Sequence, residues 1–449
     1  MTGETRIEQV RESIESEMAR WSVPGLAIGI LDGGEVETAA FGIENINTGT
    51  AVKPETLFQI GSISKIFTTT LIMTLVDEGV LDLDQPVIHH IPDLSLADAT
   101  ARATITLRHL VTHMGGFFGD RFDDHGRGDD ALARTVAAFG DLPQQTAPGE
   151  LWTYCNAGFD LAGRVAEVVT GQRFGDLVRE RIFEPLELDR ATYFPDHAIL
   201  YSVAAGHVKS VDGVSVARPW PIARNSNPAG GVSANVSELL RFATMHMQDG
   251  ELDGVRILKP ESAQAMRAHE TAAGPFTSWG LGWSRREVNG TLIVEHGGAT
   301  NGFTARLTTV PERGFAIAIL TNHAAGVAAH TEIARVALER LLGIRDVLPP
   351  TIALPDDALA RFAGKYSHRL GDVTLSVRDG GYDVTRVNRN PFSLAETVGD
   401  PFRLEPVAER VFLASGGGMD RSYADVITNA DGSVRFLRIG GRLGYPVVT

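Results

Sequence analysis

Phe58-Gln-Ile-Gly-Ser-Ile-Ser-Lys65 runs into Ile66, Phe67, Leu71, Ile72 and Leu75, and the pattern ends near Gly79. From Ile63 onward the apolar residues recur at i, i+3, i+4 and i+7, the period of a helix. Ser62 falls at the helix start, with Lys65 one turn on and on the same face. A serine there meets free backbone N–H groups and the positive end of the helix dipole, which favour negative charge on a bound oxygen. A lysine held among apolar side chains loses solvation, so its neutral form is easier to reach. A neutral amine one turn from a hydroxyl can take its proton, which is the S-x-x-K arrangement. The plainer reading makes Ser62 an N-cap and lets Lys65 snorkel to solvent. Of the five lysines in the chain, only this one stands in such a pattern.

Two later segments carry further chemistry. Trp152-Thr-Tyr-Cys-Asn156 sets Tyr154 and Asn156 in Y-x-N spacing, on a loop ahead of an expected helix at Leu161–Val169. A phenol serves as acid or base when a nearby cation lowers its pKa, and Lys65 is a candidate for that cation. The Asn156 amide can bind a substrate carbonyl and orient Lys65; a buried aromatic with a capping Asn is the alternative. Cys155 reads as a small buried residue rather than a rival nucleophile. In Val294-Glu-His-Gly-Gly-Ala299, His296 ends an expected strand, and Gly297 and Gly298 let a substrate backbone come close. A strand edge beside a nucleophile can offer a backbone N–H to an oxyanion.

Around these motifs the chain is organised as strands, helices, then strands again. Ile7–Ala19 reads as a surface helix, and Leu26–Leu31 and Glu35–Phe41 as strands around the Asp32-Gly33-Gly34 turn. A mostly helical region follows from about 56 to 250. Strands are expected again at Gly280–Arg285, Leu292–Glu295, Phe303–Val310 and Phe315–Leu320, then a helix at Ala328–Leu342. This order suggests one sheet built from both ends of the region, with helices inserted. Pro349, Pro350 and Pro355 mark a linker. Beyond it lie short alternating strands such as Val373–Val377, Tyr382–Val387 and Val434–Ile439, as in a small antiparallel β-domain or barrel. The expected domains are 1–347 and 354–449.

Composition narrows the function classes. The 449 residues are 43% hydrophobic and 22% charged, ordinary for a globular protein of two or three domains. A net charge of −15 with no basic block disfavours nucleic acid and anionic lipid. A single cysteine, Cys155, excludes an intrachain disulfide framework. No apolar run is long enough for a membrane span, and Met1–Arg20 has no signal-peptide core, so a cytoplasmic location is expected. His109 and His113 have i, i+4 spacing, which could bind zinc on a helix, but no third ligand accompanies them, so no metal is expected. No serine stands in G-x-S-x-G, which argues against an α/β-hydrolase. Gly416-Gly-Gly418 reads as a hairpin turn.

Taken together, the motifs resemble those of the serine β-lactamase and penicillin-recognising superfamily, especially its class C-like branch of D-aminopeptidases and esterases. S-x-x-K, Y-x-N and H-x-G follow in that order, spaced by about 90 and about 140 residues. Val23-Pro-Gly-Leu, Leu57-Phe-Gln-Ile-Gly, Thr106-Leu-Arg-His-Leu-Val-Thr-His-Met-Gly-Gly, Gly230-Gly-Val-Ser and Trp279-Gly-Leu-Gly-Trp extend the likeness over roughly 5–345. It implies a mixed α/β fold: an antiparallel sheet flanked by helices, a helical subdomain, and the site between them. The C-terminal domain resembles the lipocalin-like appendages of some family members. By the same resemblance Ser62 is the nucleophile, Lys65 and Tyr154 share the proton transfers, and Asn156, His296 and Gly298 bind substrate. The N–H groups of Ser62 and Ala299 form the oxyanion hole, and no cofactor is implied.

Lactamases usually carry Lys-Thr-Gly where this chain has His296-Gly-Gly. A mostly neutral imidazole thus replaces a fixed cation suited to a substrate carboxylate. The expected reaction is therefore cleavage of a small ester, amide or short peptide through an acyl-enzyme on Ser62. The alternative is a penicillin-binding-type protein or β-lactamase acylated by β-lactams. All three motifs precede the linker, so the last domain is not expected to help build the nucleophile. It is read either as a passive appendage, a homo-oligomer surface included, or as the source of a loop covering the cleft.

Overall fold

The computed structural model describes residues 4–211, 213–389 and 395–447. Helix α1 (Arg6–Arg20) is capped by the Thr5 hydroxyl, which accepts from the Glu8 N–H, and buries Ile7, Val10 and Ile14. Strands β1 (Gly25–Asp32) and β2 (Glu35–Gly42) turn at Gly33 and Gly34, both at positive φ. The helical region holds α2 (Ser64–Asp77), α3 (Asn156–Thr170) and α4 (Val236–Met247). Strands return as β3 (Thr271–Ala272), β4 (Ser278–Trp279), β5 (Ser284–Val288), β6 (Thr291–Thr300), β7 (Phe303–Val310) and β8 (Phe315–Thr321). Helix α5 (Gly326–Leu342) follows.

These eight strands form one antiparallel sheet in the order β2-β1-β8-β7-β6-β5-β4-β3. Its centre joins the two ends of the region, with Ile28 opposite Ile319, as expected from strands on either side of the helices. Alternation along β1 sends Leu26, Ile28 and Ile30 under α1 and α5, beside Ile317, Ile319 and Ile333. Ala27 and Leu31 face the other way, into a larger core with α2, α3 and α4.

Helix α2 runs through that core and is buried on all sides from Ser64 to Leu75. Its three adjacent threonines can be buried because each hydroxyl finds an acceptor. Thr69 and Thr70 donate to the carbonyls of Lys65 and Ile66 four residues back, and Thr68 donates to Pro228 O at 2.6 Å.

Three expected boundaries move. The strand expected at Gly280–Arg285 starts only at Ser284, because Gly280 N–H donates to Trp283 O across a turn in which Gly282 has φ +79°. The strand expected to stop at Glu295 continues to Thr300, since its pairing with β7 runs from Val294 to Thr300, with His296 opposite Leu307 and Gly298 opposite Ala305. His296 therefore lies within a strand and not at its end. The helix expected from Leu161 begins at Asn156, capped by Cys155, whose Sγ accepts from Gly158 N–H at 3.3 Å.

The chain ends in a closed barrel of eight antiparallel strands. They are β9 (Gly364–His368), β10 (Gly371–Arg378), β11 (Gly381–Arg389), β12 (Phe402–Ala408), β13 (Val411–Ser415), β14 (Tyr423–Thr428), β15 (Val434–Ile439) and β16 (Arg442–Pro446). The order β10-β9-β16-β15-β14-β13-β12-β11 closes through the β10–β11 pair. The interior is filled by side chains including Tyr366, Tyr382, Leu404, Phe412 and Leu437. The two phenols donate to Phe362 O and Leu359 O, both at 2.7 Å. Gly416–Gly418 lies in the β13–β14 connection, as its sequence suggests. Among the described residues no helix is long and apolar enough to cross a membrane.

Candidate active site

Gly61–Ile63 form a 3₁₀ turn that leads into α2, so Ser62 sits in the turn and Lys65 in the first turn of the helix. Lys65 is fully buried and does not snorkel. Its Nζ lies 2.6 Å from Ala229 O, 2.7 Å from Asn156 Oδ1 and 3.1 Å from Ser62 Oγ. Burial lowers its pKa to about 7, aided by the Arg442 charge and opposed by Asp160, Asp120 and Cys155. A neutral amine has two N–H bonds and one lone pair. When the N–H bonds serve Asn156 and Ala229, the lone pair is left for the Ser62 hydroxyl.

Asn156 is fixed from both ends of its amide. Nδ2 donates to Asp120 Oδ1 at 2.9 Å, and Oδ1 accepts from Lys65. A carboxylate on one side and an amine on the other leave the amide only one sensible orientation. Tyr154 hydrogen-bonds Ser62 through its phenol. Its ring stacks on His113 at 4.2 Å and meets Trp152 and Trp279 edge-on. Burial pushes the phenol above its usual range, although the Ser62 bond and the Arg442 charge pull the other way. Tyr154 therefore rests as a neutral phenol. Burial also raises the Cys155 thiol to about 12, which leaves it a poor nucleophile.

Strand β6 passes against the Ser62 turn at backbone distance. A Cβ on Gly298 would lie 1.8 Å from Ile60 O and 3.2 Å from Ser62 N, and one on Gly61 2.5 Å from Ala299 N. The need for glycine at 298 thus comes from this packing, while a Cβ on the exposed Gly297 would make only ordinary contact, 3.9 Å from Ala305 O. The Ser62 and Ala299 main chains are side by side, as a pair of oxyanion donors must be. His296 is buried next to Tyr154 and Trp279, with Nδ1 2.6 Å from Gly297 O and Nε2 without a hydrogen-bond partner among the described residues. Burial takes its pKa down to about 3, so the imidazole is neutral.

The barrel also reaches this site. Gly440 and Gly441, both at positive φ, make the tight turn between β15 and β16. Gly441 O accepts from Tyr154 N–H at 2.9 Å, and Arg438 donates to Trp152 O at 3.3 Å. The guanidinium of Arg442 stands 4.7 Å from the Tyr154 ring centroid and pairs with Asp120 through Nε at 3.1 Å and Nη2 at 3.2 Å. Asp120 and Arg442 escape sequence reasoning. Asp120 sits just past a family-like segment without a motif of its own, and Arg442 is one of 36 arginines in a remote strand.

The His109–His113 spacing does not describe a helix face. That helix ends at Val111, and His113 has φ +60°. His109 takes part in a capping box with Thr106, while His113 Nδ1 accepts from Cys155 N–H at 2.9 Å. A cavity of about 930 Å³ opens beside the short helix Asn227–Gly230, lined by Gln59, Tyr193, Phe194, Trp220, Asn227 and Asn301 among others. Its volume suits a small organic ligand.

Comparison with known proteins fits this arrangement. A family model described as Beta-lactamase matches residues 10–342. Penicillin-binding protein 4 of Amycolatopsis lactamdurans is 36% identical over 360 residues, spanning 78% of this chain and 94% of that protein. An unguisins hydrolase of Aspergillus campestris is 25% identical, over 72% of this chain and 62% of its own length. Among solved structures, SurE superposes with a TM-score of 0.75 at 24% identity, covering 98% of this chain and 99% of that one. The octameric penicillin-binding protein homologue from Pyrococcus abyssi gives 0.68 at 24% identity with the same coverage. Both likenesses run through the barrel as well as the sheet.

Proposed function

This chain belongs to the beta-lactamase family, and we propose that within it the protein is a serine hydrolase cleaving a small ester or amide, peptide-like bonds included. The observation that carries this reading is the buried Lys65 amine, with two acceptors occupied and Ser62 Oγ 3.1 Å away. Lys65 takes the Ser62 proton as Oγ attacks the substrate carbonyl carbon, because its pKa is near neutral while the Tyr154 phenol is held protonated. The tetrahedral oxyanion is received by the N–H groups of Ser62 and Ala299. Tyr154 gives its proton to the departing alcohol or amine and regains one from Lys65. Water then attacks the acyl-enzyme by the same proton path and frees the acid. Asn156 orients Lys65 and the substrate carbonyl. The neutral His296 wall supports an ester or amide over a substrate that needs a fixed cation at that position.

A second reading is favoured by the 36% identity to penicillin-binding protein 4: a protein that β-lactams acylate and that turns over slowly. Burst kinetics separates the two. Continuing release from a chromogenic ester supports the hydrolase, and a single stoichiometric burst supports the second reading. In either case a fluorophosphonate adduct belongs on Ser62 and disappears in Ser62→Ala; an adduct on Ser64 or Cys155 overturns both. We also take 1–347 and 354–449 as two folding units, a division supported by the separate apolar core of the barrel.

A further inference from the structure

We propose that Arg442, carried into the site on the β15–β16 turn of the barrel, is a positioning residue of the acylation machinery, acting through Asp120 and Asn156 on Lys65. The inference rests on the roles given above to Ser62 and Lys65, and it gives the barrel a part in the chemistry. The links form a continuous chain: Arg442 Nε and Nη2 to Asp120, Asp120 Oδ1 to Asn156 Nδ2, and Asn156 Oδ1 to Lys65 Nζ at 2.7 Å. Asp120 is almost wholly buried, and Arg442 is the cation it pairs with. A buried carboxylate without that partner would be costly. It would also be free to attract the Lys65 proton. Arg442 is itself held in place, since Nη1 donates to Gly440 O at 3.0 Å and the guanidinium lies over the Tyr154 ring. The turn that presents it is bonded to Tyr154 through Gly441 O. The barrel thus supplies both a fixed charge and its support.

The charge matters because Lys65 must be neutral to accept a proton. The groups that face it come from several elements. Asp160 projects from α3, Asp120 comes from the loop after the short helix Leu107–Val111, and Cys155 and Tyr154 lie just ahead of α3. His113 and His296, both neutral, are close enough to feel the Lys65 charge, and Arg442 comes from the barrel. Asp160 is itself buried and held toward its protonated form. Arg442 and Asp120 are then the opposed fixed charges in this set, and they offset one another. Removing the cation alone leaves Asp120 to hold the Lys65 proton. Removing both restores the balance.

The test is the pH profile of kcat/KM on a neutral ester, measured on the full chain. A neutral substrate is chosen so that a lost contact to a substrate charge plays no part. Arg442→Gln is expected to move the acid limb to higher pH by about one unit, the scale of a nearby buried charge, with about fivefold lower activity at pH 7 and about tenfold lower well below it. Arg442→Lys should keep the limb near the wild-type position. Arg442→Gln with Asp120→Asn should bring it back, and this pair also covers the chance that an unpaired Asp120 unfolds the single variant. An unmoved limb in Arg442→Gln, with activity scaled down equally at every pH, would reduce Arg442 to a structural contact and overturn the proposal. Failure of the double variant to restore the limb would overturn it as well. Ser62→Ala run in parallel keeps the two readings apart: if it still turns over, the proposed function fails, whereas a dead Ser62→Ala beside an unmoved limb sinks only the role of Arg442.

Discussion

Lys65 Nζ and the main-chain oxygen of Ala229 stand 2.6 Å apart, across the packing of α2 on the short helix Asn227–Gly230. A backbone carbonyl cannot be protonated or swing away, so this contact fixes one N–H of the amine permanently. The Asn156 amide fixes the other, and the direction of the lone pair follows from these two acceptors. The burial that depresses the Lys65 pKa and the acceptors that aim the amine are therefore consequences of the same packing.

Lys65→Ala and Tyr154→Phe should each lower kcat by at least about 10²-fold, the low end for a positioned acid–base group. Because both sit on one proton path to Ser62, the double variant should lose less than the product of the two. Rates measured on one chromogenic ester check this. Fully multiplicative losses would mean that the two groups serve separate steps.

The Lys65 pKa of about 7, against 10.5 for an ordinary lysine, has a kinetic and a thermodynamic consequence. For the free enzyme, kcat/KM should rise with pH through about 7 as the amine loses its proton. For stability, the unfolded chain binds more protons than the folded one between about 7 and 10.5, so folding grows more favourable with rising pH across that window. The penalty is full below about 7 and gone above about 10.5, and its ceiling is about 5 kcal/mol. Urea titrations of wild type and Lys65→Met at several pH values isolate it, since other groups cancel in the difference. The stability of wild type relative to the variant should climb with pH; a flat difference would mean that Lys65 is not depressed.

Much of this site was legible in the sequence because its parts are local. Ser62 and Lys65 are one helical turn apart, Tyr154 and Asn156 two positions apart, and His296 to Ala299 consecutive, so residue type and period carry the information. Element boundaries failed where a tertiary partner decided them. Strand β6 is carried past His296 by its pairing with β7, and α3 begins at Asn156 because Cys155 caps it through sulfur. Arg442 was invisible for a stronger reason. It lies 322 positions from Asp120, and only closure of the barrel and the Gly440-Gly441 turn bring them together. No local pattern encodes such a meeting.

Cys155 should be inert in the folded protein. It is 1% exposed, its thiol pKa is raised to about 12 by burial, and its sulfur is engaged as the cap of α3. Iodoacetamide at pH 8 should leave both mass and activity unchanged, with full labelling only after denaturation. Rapid native labelling with loss of activity would show that the segment around Tyr154 opens readily.

The neighbouring glycines of β6 give a test of the close approach that brings Ala299 beside Ser62. Neither Gly297 nor Gly298 is among the glycines at positive φ, so alanine is allowed at both as far as the backbone is concerned. The surroundings differ. At 297 the nearest atom to an added Cβ is Ala305 O at 3.9 Å, which is ordinary contact. At 298 the methyl would lie 1.8 Å from Ile60 O, a backbone atom held in the turn that carries Ser62. Either β6 or that turn must move, and overpacking of this kind costs about 1–3 kcal/mol. Gly297→Ala should therefore melt within a degree or two of wild type and keep its reactivity toward a fluorophosphonate. Gly298→Ala should melt clearly lower and label more slowly, because the Ser62 and Ala299 N–H groups no longer converge on one point. Thermal melts and labelling rates on the two variants decide the matter. If both variants behaved alike, the backbone contact between β6 and the Ser62 turn would not be the feature that builds the oxyanion site.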